Sequence, residues 1–319
     1  MAEIVPLKDA LAPALALLAA GEVVAVPTET VYGLAGDATC GEAVARIFEA
    51  NGRPRFNPLI VHVYDLDMAR RIALFDDVSL KLAQEFWPGP LTLVLRLRQE
   101  SGIHPLVTAG LDTVALRMPR GFARELIASL GRPLAAPSAN RSGRISPTTA
   151  QAVADDLGMR IALVADGGAT SVGLESTIVK AGPDGVRILR PGGVTAHEIE
   201  AALRTAVLRG GAAGIEAPGM LASHYAPDAA LRLDAAEVKP GEALLAFGAR
   251  RIAGADRAVA MLNLSEAGDL REAAANLYGH LRALDRAGAA TIAVEPIPHE
   301  GLGEAIADRL ARAAAPRGG

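Results

Sequence analysis

Residues 51–63 read NGRPRFNPLIVHV, and the way this stretch folds decides the class of the chain. Pro54 and Pro58 exclude a helix there, and the LIVHV that follows has the composition of a strand entering a core. A stiffened loop carrying Arg53, Arg55 and Asn57 is therefore tied to a buried strand. Outward from it, apolar runs alternate with segments of helical period up to about residue 205. The expected strands are VVAVP (23–27), LIVHV (59–63), LTLVLRL (91–97), TVALRM (113–118), PLAAP (133–137), IALVAD (161–166) and STIVK (176–180). The expected helices are GEAVARIFEA (41–50), VSLKLAQEFW (78–87), FARELIASL (122–130), PTTAQAVADDL (147–157) and AHEIEAALRTAVL (196–208). Ser146 before Pro147 reads as an N-cap followed by proline at the first helical position. The alternation is that of an α/β domain.

The stretch RGGAAGIEAPGMLASHYAPDAA (209–230) is rich in breakers and reads as a linker, although Met220, Leu221, His224 and Tyr225 are unusual in a solvated tether. A second alternating pattern starts near residue 231: EALLAFG, AVAMLNL, the helix LREAAANLYGHLRALDRAG, TIAVEPI and the helix EAIADRLARAA. The chain is thus expected to comprise a domain over 1–208, a linker over 209–230 and a smaller α/β domain over 231–319. Its 319 residues suffice for two domains, at roughly 100–200 residues each. Cys40 is the only cysteine, which excludes an internal disulfide and a cysteine-based zinc cluster. The N-terminal segment reads as a strand and a short helix rather than a signal peptide or membrane span, so a cytoplasmic location is expected. Net charge is −4, and residues 1–210 hold 21 basic and 22 acidic side chains. That balance argues against strong direct binding to RNA.

The familiar phosphate-binding and hydrolase signatures are missing: no G-x-x-x-x-G-K-[ST], G-x-G-x-x-G after a strand, H-E-x-x-H or G-x-S-x-G. In their place, strand ends carry hydroxyl and guanidinium groups. PTETVYGLAGDA (27–38) reads either as a threonine-rich turn capping the helix at 41 or as a pocket lining at a strand's end. In TVALRM, Thr113, Ala115 and Arg117 share one strand face, and a buried arginine there requires an anionic partner. LAAPSANRSGRISPTTA (134–150) brings Ser138, Asn140, Arg141, Ser142, Arg144 and Ser146 in front of a helix, a setting suited to phosphate. Ser176 begins a strand and Arg190 ends one. His62 alone reads as a satisfied core histidine. Together these groups point to a site for an anionic, phosphate-bearing ligand.

PTETVYGLAGDA, GRPRFNPLIVHV, FWPGPLTLVL, TVALRMPRG, PLAAPSANRSGRISPTTA, GLESTIVK and ILRPGG closely resemble the YrdC-like domain. APGMLASHYAP and EGLGEAIADRLARAA extend the likeness, over essentially the whole chain, to the two-domain form of the L-threonylcarbamoyladenylate synthase family. The resemblance implies a twisted mixed sheet flanked by helices, followed by a smaller Rossmann-like α/β domain. It implies a nucleotidyltransferase that joins L-threonine, bicarbonate and ATP into threonylcarbamoyl-AMP and pyrophosphate, with Mg2+ accompanying ATP. A separate complex would pass the threonylcarbamoyl group to adenosine 37 of ANN-decoding tRNAs. It further implies L-threonine contacts at Thr30, His62, Arg117, Ala136 and Ser176. The implied ATP contacts are Arg53, Asn57, Thr113, Ser138, Asn140, Ser146, Arg190 and, from a linker acting as a lid, Tyr225. No covalent nucleophile is implied; Arg53, Ser138 and Asn140 carry most of the positioning. One departure stands out, because the family's K-G-R-P is here N-G-R-P, with Asn51 in place of a cation and Arg55 as its candidate substitute. An RNA-binding YrdC-like module and a hydrogenase-maturation carbamoyltransferase are the alternatives that share the domain.

Overall fold

The computed structural model describes residues 1–210, 217–218 and 224–316. It divides into two units, one of Met1–Ser142, Pro147–Thr170 and Glu175–Met220, the other of Gly143–Ser146, Ser171–Leu174 and Leu221–Gly319. Among the described residues the first unit has twelve strands: β1 (Glu3–Pro6), β2 (Val24–Val26), β3 (Gly33–Asp37), β4 (Ile60–His62), β5 (Ala73–Leu74), β6 (Leu91–Leu97), β7 (Thr113–Arg117), β8 (Leu134–Ala135), β9 (Leu163–Asp166), β10 (Thr177–Gly182), β11 (Gly185–Arg190) and β12 (Leu208–Arg209). They form one twisted mixed sheet in the order β1–β9–β2–β3–β8–β4–β7–β6–β10–β11–β12, with β5 paired to β6. Its helices are α1 (Leu7–Ala19), α2 (Gly41–Asn51), α3 (Leu66–Ile72), α4 (Asp77–Phe86), α5 (Pro105–Thr108), α6 (Phe122–Leu130), α7 (Ala150–Leu157) and α8 (Ala196–Leu203).

The period of two along the central strands sorts side chains onto two unequal faces. Leu59, Val61, Leu91, Leu93, Val114, Leu116, Val179 and Ile188 join the main core, which also takes the apolar face of α2 through Val44, Ile47 and Phe48. Among the described residues the opposite face holds a small apolar cluster of Ile60, Val94, Ala115, Ile178, Leu189 and Ala217. His62, Arg117 and Ser176 belong to this second face by parity with Ile60, Ala115 and Ile178. The small cluster is the floor of a polar site.

Three sequence expectations are corrected. The helix expected from Pro147 begins at Ala150, with Thr149 as the N-cap accepting from Ala152 N. Pro147 and Thr148 are instead used as acceptors, their carbonyls taking the N–H groups of Tyr32 and Thr170, so the chain stays extended there. The helix expected over 196–208 ends at Leu203, because Arg204 turns left-handed (φ 58°) and Leu208–Arg209 pairs with β11. PTETVYGLAGDA is not a cap for the helix at 41: Gly33–Asp37 is β3, antiparallel to β2, and Cys40 precedes α2 without a side-chain cap.

Among the described residues the second unit has four parallel strands, β13 (Ala230–Arg232), β14 (Ala243–Ala246), β15 (Met261–Asn263) and β16 (Thr291–Val294), in the order β13–β16–β14–β15. Its helices are α9 (Leu270–Arg286) and α10 (Leu302–Ala314). Asp269 caps α9 by accepting from Arg271 N and Glu272 N, and Ala273, Ala274, Leu277, Leu281 and Leu284 form its buried stripe. Past the ends of β14 and β16, the Glu295 carboxylate accepts from Phe247 N, Ile252 N and Arg251. No helix among the described residues is long and apolar enough to cross a membrane.

Gly192 locks the turn after β11 against the start of β10. A Cβ there would fall 2.3 Å from Glu175 O and 2.5 Å from Ser176 C and Thr177 N, all backbone atoms. Gly192→Ala is therefore expected to lower stability by about 1–3 kcal/mol, read from the urea midpoint.

Candidate functional site

Arg117 ends β7 with its side chain on the second face, only 4% exposed. Its Nε donates to Gly89 O (3.2 Å), Nη1 to Thr30 Oγ1 (2.9 Å) and Nη2 to Glu29 Oε1 (2.7 Å). Three of the five guanidinium N–H groups are thus committed, leaving one on each Nη for a ligand. The hydroxyls around it have a settled direction. Thr28 spends its proton on Val31 O (2.7 Å), so across the 2.8 Å contact between the two hydroxyls Thr30 donates and Thr28 accepts. Glu29 also accepts from Arg120 N at 3.0 Å. Burial by itself pushes the Glu29 carboxyl up, but the Arg117 guanidinium and these N–H groups hold it below the usual carboxylate range. The pair is therefore fixed and ionised.

His62 sits directly across the parallel β4–β7 pair from Arg117. Burial and the neighbouring guanidinium push its pKa down to about 3, so the imidazole is neutral. Its Nε2 is buried and has no hydrogen-bond partner. The expectation of a satisfied core histidine is corrected: the ring carries an open polar atom beside an open pair of arginine N–H groups.

Ser176 and Arg190 reach the same face by an irregularity. Ile178 pairs with Arg190 but Val179 pairs with Ile188, so Leu189 is an extra residue in β11. Leu189 enters the small cluster by ordinary alternation from Ile188, and the bulge carries Arg190 to that same face, the face of Ile178. A regular strand would have left Arg190 on the side of Ile188. Arg190 Nη2 donates to Ser176 O (2.9 Å) and Oγ (3.3 Å), and Ser176 Oγ meets Thr92 Oγ1 at 2.7 Å. The short described piece of the linker lies here too. Ala217 packs into the cluster, and Pro218 O accepts from Arg190 Nη1 at 3.4 Å.

The loop of the opening motif is less free than its sequence suggests. Arg53 donates to Asn57 O (3.0 Å), Asn57 Oδ1 (2.7 Å) and Pro58 O (2.8 Å), while Asn57 Nδ2 is buried without a partner. Arg55 is exposed. Asn51, at the end of α2, donates from Nδ2 to Ser138 O (3.0 Å) and to Asn140 O. Ser138 also bridges to Gly33 of β3, Ala139 N donates to Tyr32 O, and Ala136 N donates to Ile60 O. The structure thus gathers Thr30, His62, Arg117, Ser176 and Arg190 on one sheet face, links Ala136 to the strand carrying His62, and ties Arg53 to Asn57. Thr113 begins β7 on the face of Arg117, half-buried. Ser146 and Tyr225 lie in the second unit. There Tyr225 stacks on Tyr278 (5.9 Å between centroids) and lies under Arg309 (5.0 Å) in a left-handed conformation (φ 65°).

Two participants were missed from sequence. Glu29 is one: the anion demanded by a buried Arg117 is supplied by the chain itself, and the available signal was an acid flanked by Thr28 and Thr30 in an otherwise apolar strand end. Thr92 is the other, visible only as a hydroxyl inside LTLVLRL. Among the described residues no group of three His, Cys, Asp or Glu side chains is gathered to hold a metal ion.

A family model described as telomere recombination matches residues 16–192, and one described as the threonylcarbamoyl-AMP synthase C-terminal domain matches residues 194–315. A threonylcarbamoyl-AMP synthase of Bacillus subtilis is 41% identical over 324 residues, covering 96% of this chain and 93% of that protein. One from Pyrococcus abyssi is 40% identical over 312 residues, covering 92% and 90%. The crystal structure of Pyrococcus abyssi Sua5 complexed with L-threonine superposes with a TM-score of 0.88 at 35% identity, covering 98% of this chain and 97% of that one.

The neutral imidazole has a consequence for stability. Unfolded, His62 titrates near its ordinary 6.5; folded, at about 3. Between these values the unfolded state binds the extra proton, so stability falls as pH drops through that window, by up to about 1.4 kcal/mol per pH unit. Urea unfolding from pH 6.5 to 5 is expected to show this slope, and His62→Gln to remove its share. Glu29→Ala, which strands a buried guanidinium, is expected to cost about 3–5 kcal/mol in the same assay.

Proposed function

The chain belongs to the threonylcarbamoyl-AMP synthase family, and from that premise we propose how its residues divide the work. The reaction joins L-threonine, bicarbonate or CO2 and ATP into L-threonylcarbamoyl-AMP with release of pyrophosphate, the activated intermediate for t6A in tRNA. The observation that carries the reading is the unpartnered Nε2 of His62 beside Arg117, whose Nη atoms each retain a free N–H. An amino acid with a carboxylate and a side-chain hydroxyl satisfies both at once.

In this proposal Arg117 takes the threonine carboxylate, while Thr30, His62, Ser176 and the Ala136 backbone take its remaining polar groups. Glu29 acts through Arg117, holding the guanidinium in place. The Ser138–Asn140 loop, Arg53, Asn57, Thr113 and Arg190 receive ATP. The threonine nitrogen, once deprotonated, adds to the carbon of CO2, supplied directly or from bicarbonate by loss of water, to give a carbamate and a released proton. A carbamate oxygen then bonds to the α-phosphorus of ATP as the bond to pyrophosphate breaks. Such a transfer needs alignment and fixed opposite charge, and no side chain forms a covalent intermediate.

Magnesium is proposed to arrive on the nucleotide. The proposed ATP contacts are neutral or cationic, which fits a metal carried by phosphate oxygens rather than held by the chain. When bound, it neutralises phosphate charge. The product is proposed to pass to a tRNA threonylcarbamoyl-transfer complex in the cytoplasm.

Pyrophosphate release tests the assignment. It is expected to require L-threonine, bicarbonate and ATP together. Turnover that needs bicarbonate but ignores threonine would contradict it.

A further inference from the structure

Asn51 occupies a position that the reaction described above does not use, yet its side chain is only 2% exposed beside the candidate nucleotide loop. It is the last residue of α2, and its orientation is fixed from behind. Gly52 is left-handed (φ 65°), its N–H donates to Glu49 O and that of Arg53 to Phe48 O, so the helix end is closed. From this anchored end three hydrogen bonds cross to the loop after β8. Nδ2 donates to Ser138 O and to Asn140 O, and Asn51 O accepts from Ser142 N at 2.8 Å. Both protons of one amide are therefore spent on two carbonyls of the same turn.

That turn carries the Ser138 hydroxyl and the Asn140 side chain. On its other side it is held by β3, through the Gly33–Ser138 bridge and Leu34 N donating to Pro137 O, and by Tyr32 O accepting from Ala139 N. These contacts fix the loop's entry. Asn51 fixes its exit, between Ser138 and Ser142. A buried carbonyl left without a donor costs free energy, so two carbonyls converging on one point demand a group with two N–H bonds there. The side-chain Oδ1 of Asn51, also buried, has no partner. The amide is thus held for its donors, and its acceptor remains open at the edge of the site.

We infer that Asn51 is a positioning residue for nucleotide binding: it clamps the Ser138–Asn140 carbonyls from the end of α2 and so sets the direction of the Ser138 hydroxyl. This rests on the assignment of that loop to ATP. It gives the motif NGRP a role in which the first residue orders the loop across from it, while Arg53 orders its own loop through Asn57 and Pro58.

The test uses Asn51→Asp, which keeps the size but offers no donors to the two carbonyls, and Asn51→Lys, which restores donors on a longer stem. For Asn51→Asp the KM for ATP is expected to rise about tenfold or more, with the KM for L-threonine changed less than twofold. Amide hydrogen exchange over 138–142 is expected to speed up, while exchange in β6 and β7 stays as in the parent. Asn51→Lys is expected to restore slow exchange over 138–142 and most of the ATP affinity. An unchanged ATP KM with unchanged loop exchange in Asn51→Asp would overturn the inference. So would a folded Asn51→Lys whose loop exchanges as fast as in Asn51→Asp. If Asn51→Asp does not fold, the lysine variant decides by itself: parent-like loop protection supports the clamp and lost protection overturns it. Because exchange is measured without substrates, a parent chain lacking threonine-dependent turnover would count against the assigned reaction and leave the exchange result to judge the clamp.

Discussion

A guanidinium inside a sheet is tolerated only where acceptors meet it, and the arrangement around Arg117 follows from that requirement. Desolvating the charge without a partner would cost several kcal/mol, so the chain supplies Glu29, Thr30 and Gly89 on three sides. Meeting the requirement fixes more than the arginine. It draws the strand end at Glu29–Thr30 onto β7, orders the Thr30–Thr28–Val31 relay, and adds its positive charge to the burial that keeps His62 neutral. What remains open afterwards is small and specific: one N–H on each Nη and one imidazole nitrogen.

The same constraint explains why the candidate site lies on the thin face of the sheet. The opposite face is occupied by the main core, whereas among the described residues the candidate site's face has six small or medium apolar residues as a floor. Polar strand ends can then converge without sealing the surface. Constraints on the backbone are the β11 bulge, the tight approach of Gly192 to Ser176, and the hydrogen bonds of the Asn51 side-chain amide to carbonyls of the loop after β8. The proposed transfer, which relies on alignment rather than on a nucleophile, requires such stiffness.

Much of this was legible in the sequence. LTLVLRL and FARELIASL match β6 and α6 to the residue, and the period of TVALRM correctly placed Thr113 and Arg117 on one face. The resemblance of the long motifs identified the family, because those motifs are stretches where side-chain chemistry constrains the backbone. The misses have physical causes. Ser146–Pro147 has the local chemistry of a helix start, but the carbonyls of Pro147 and Thr148 are taken by Tyr32 and Thr170, a long-range pairing with no local signature. Arg190 appears on the site face only through a one-residue bulge that no periodicity reveals. Glu29 was overlooked because burial of an acid becomes sensible only once its arginine, 88 residues away, is in place. Asn51 was noticed for the charge it lacks, whereas its structural part is two donated hydrogen bonds.

The most direct test is equilibrium binding of L-threonine by titration calorimetry, comparing the parent with Arg117→Gln and confirming by urea unfolding that the variant is folded. If the face built around Arg117 receives the amino acid, a folded Arg117→Gln should bind L-threonine at least about thirtyfold more weakly, the loss that accompanies removal of one partner of a buried charged hydrogen bond. Equal affinity in the two proteins would place the threonine elsewhere and contradict the site assigned here.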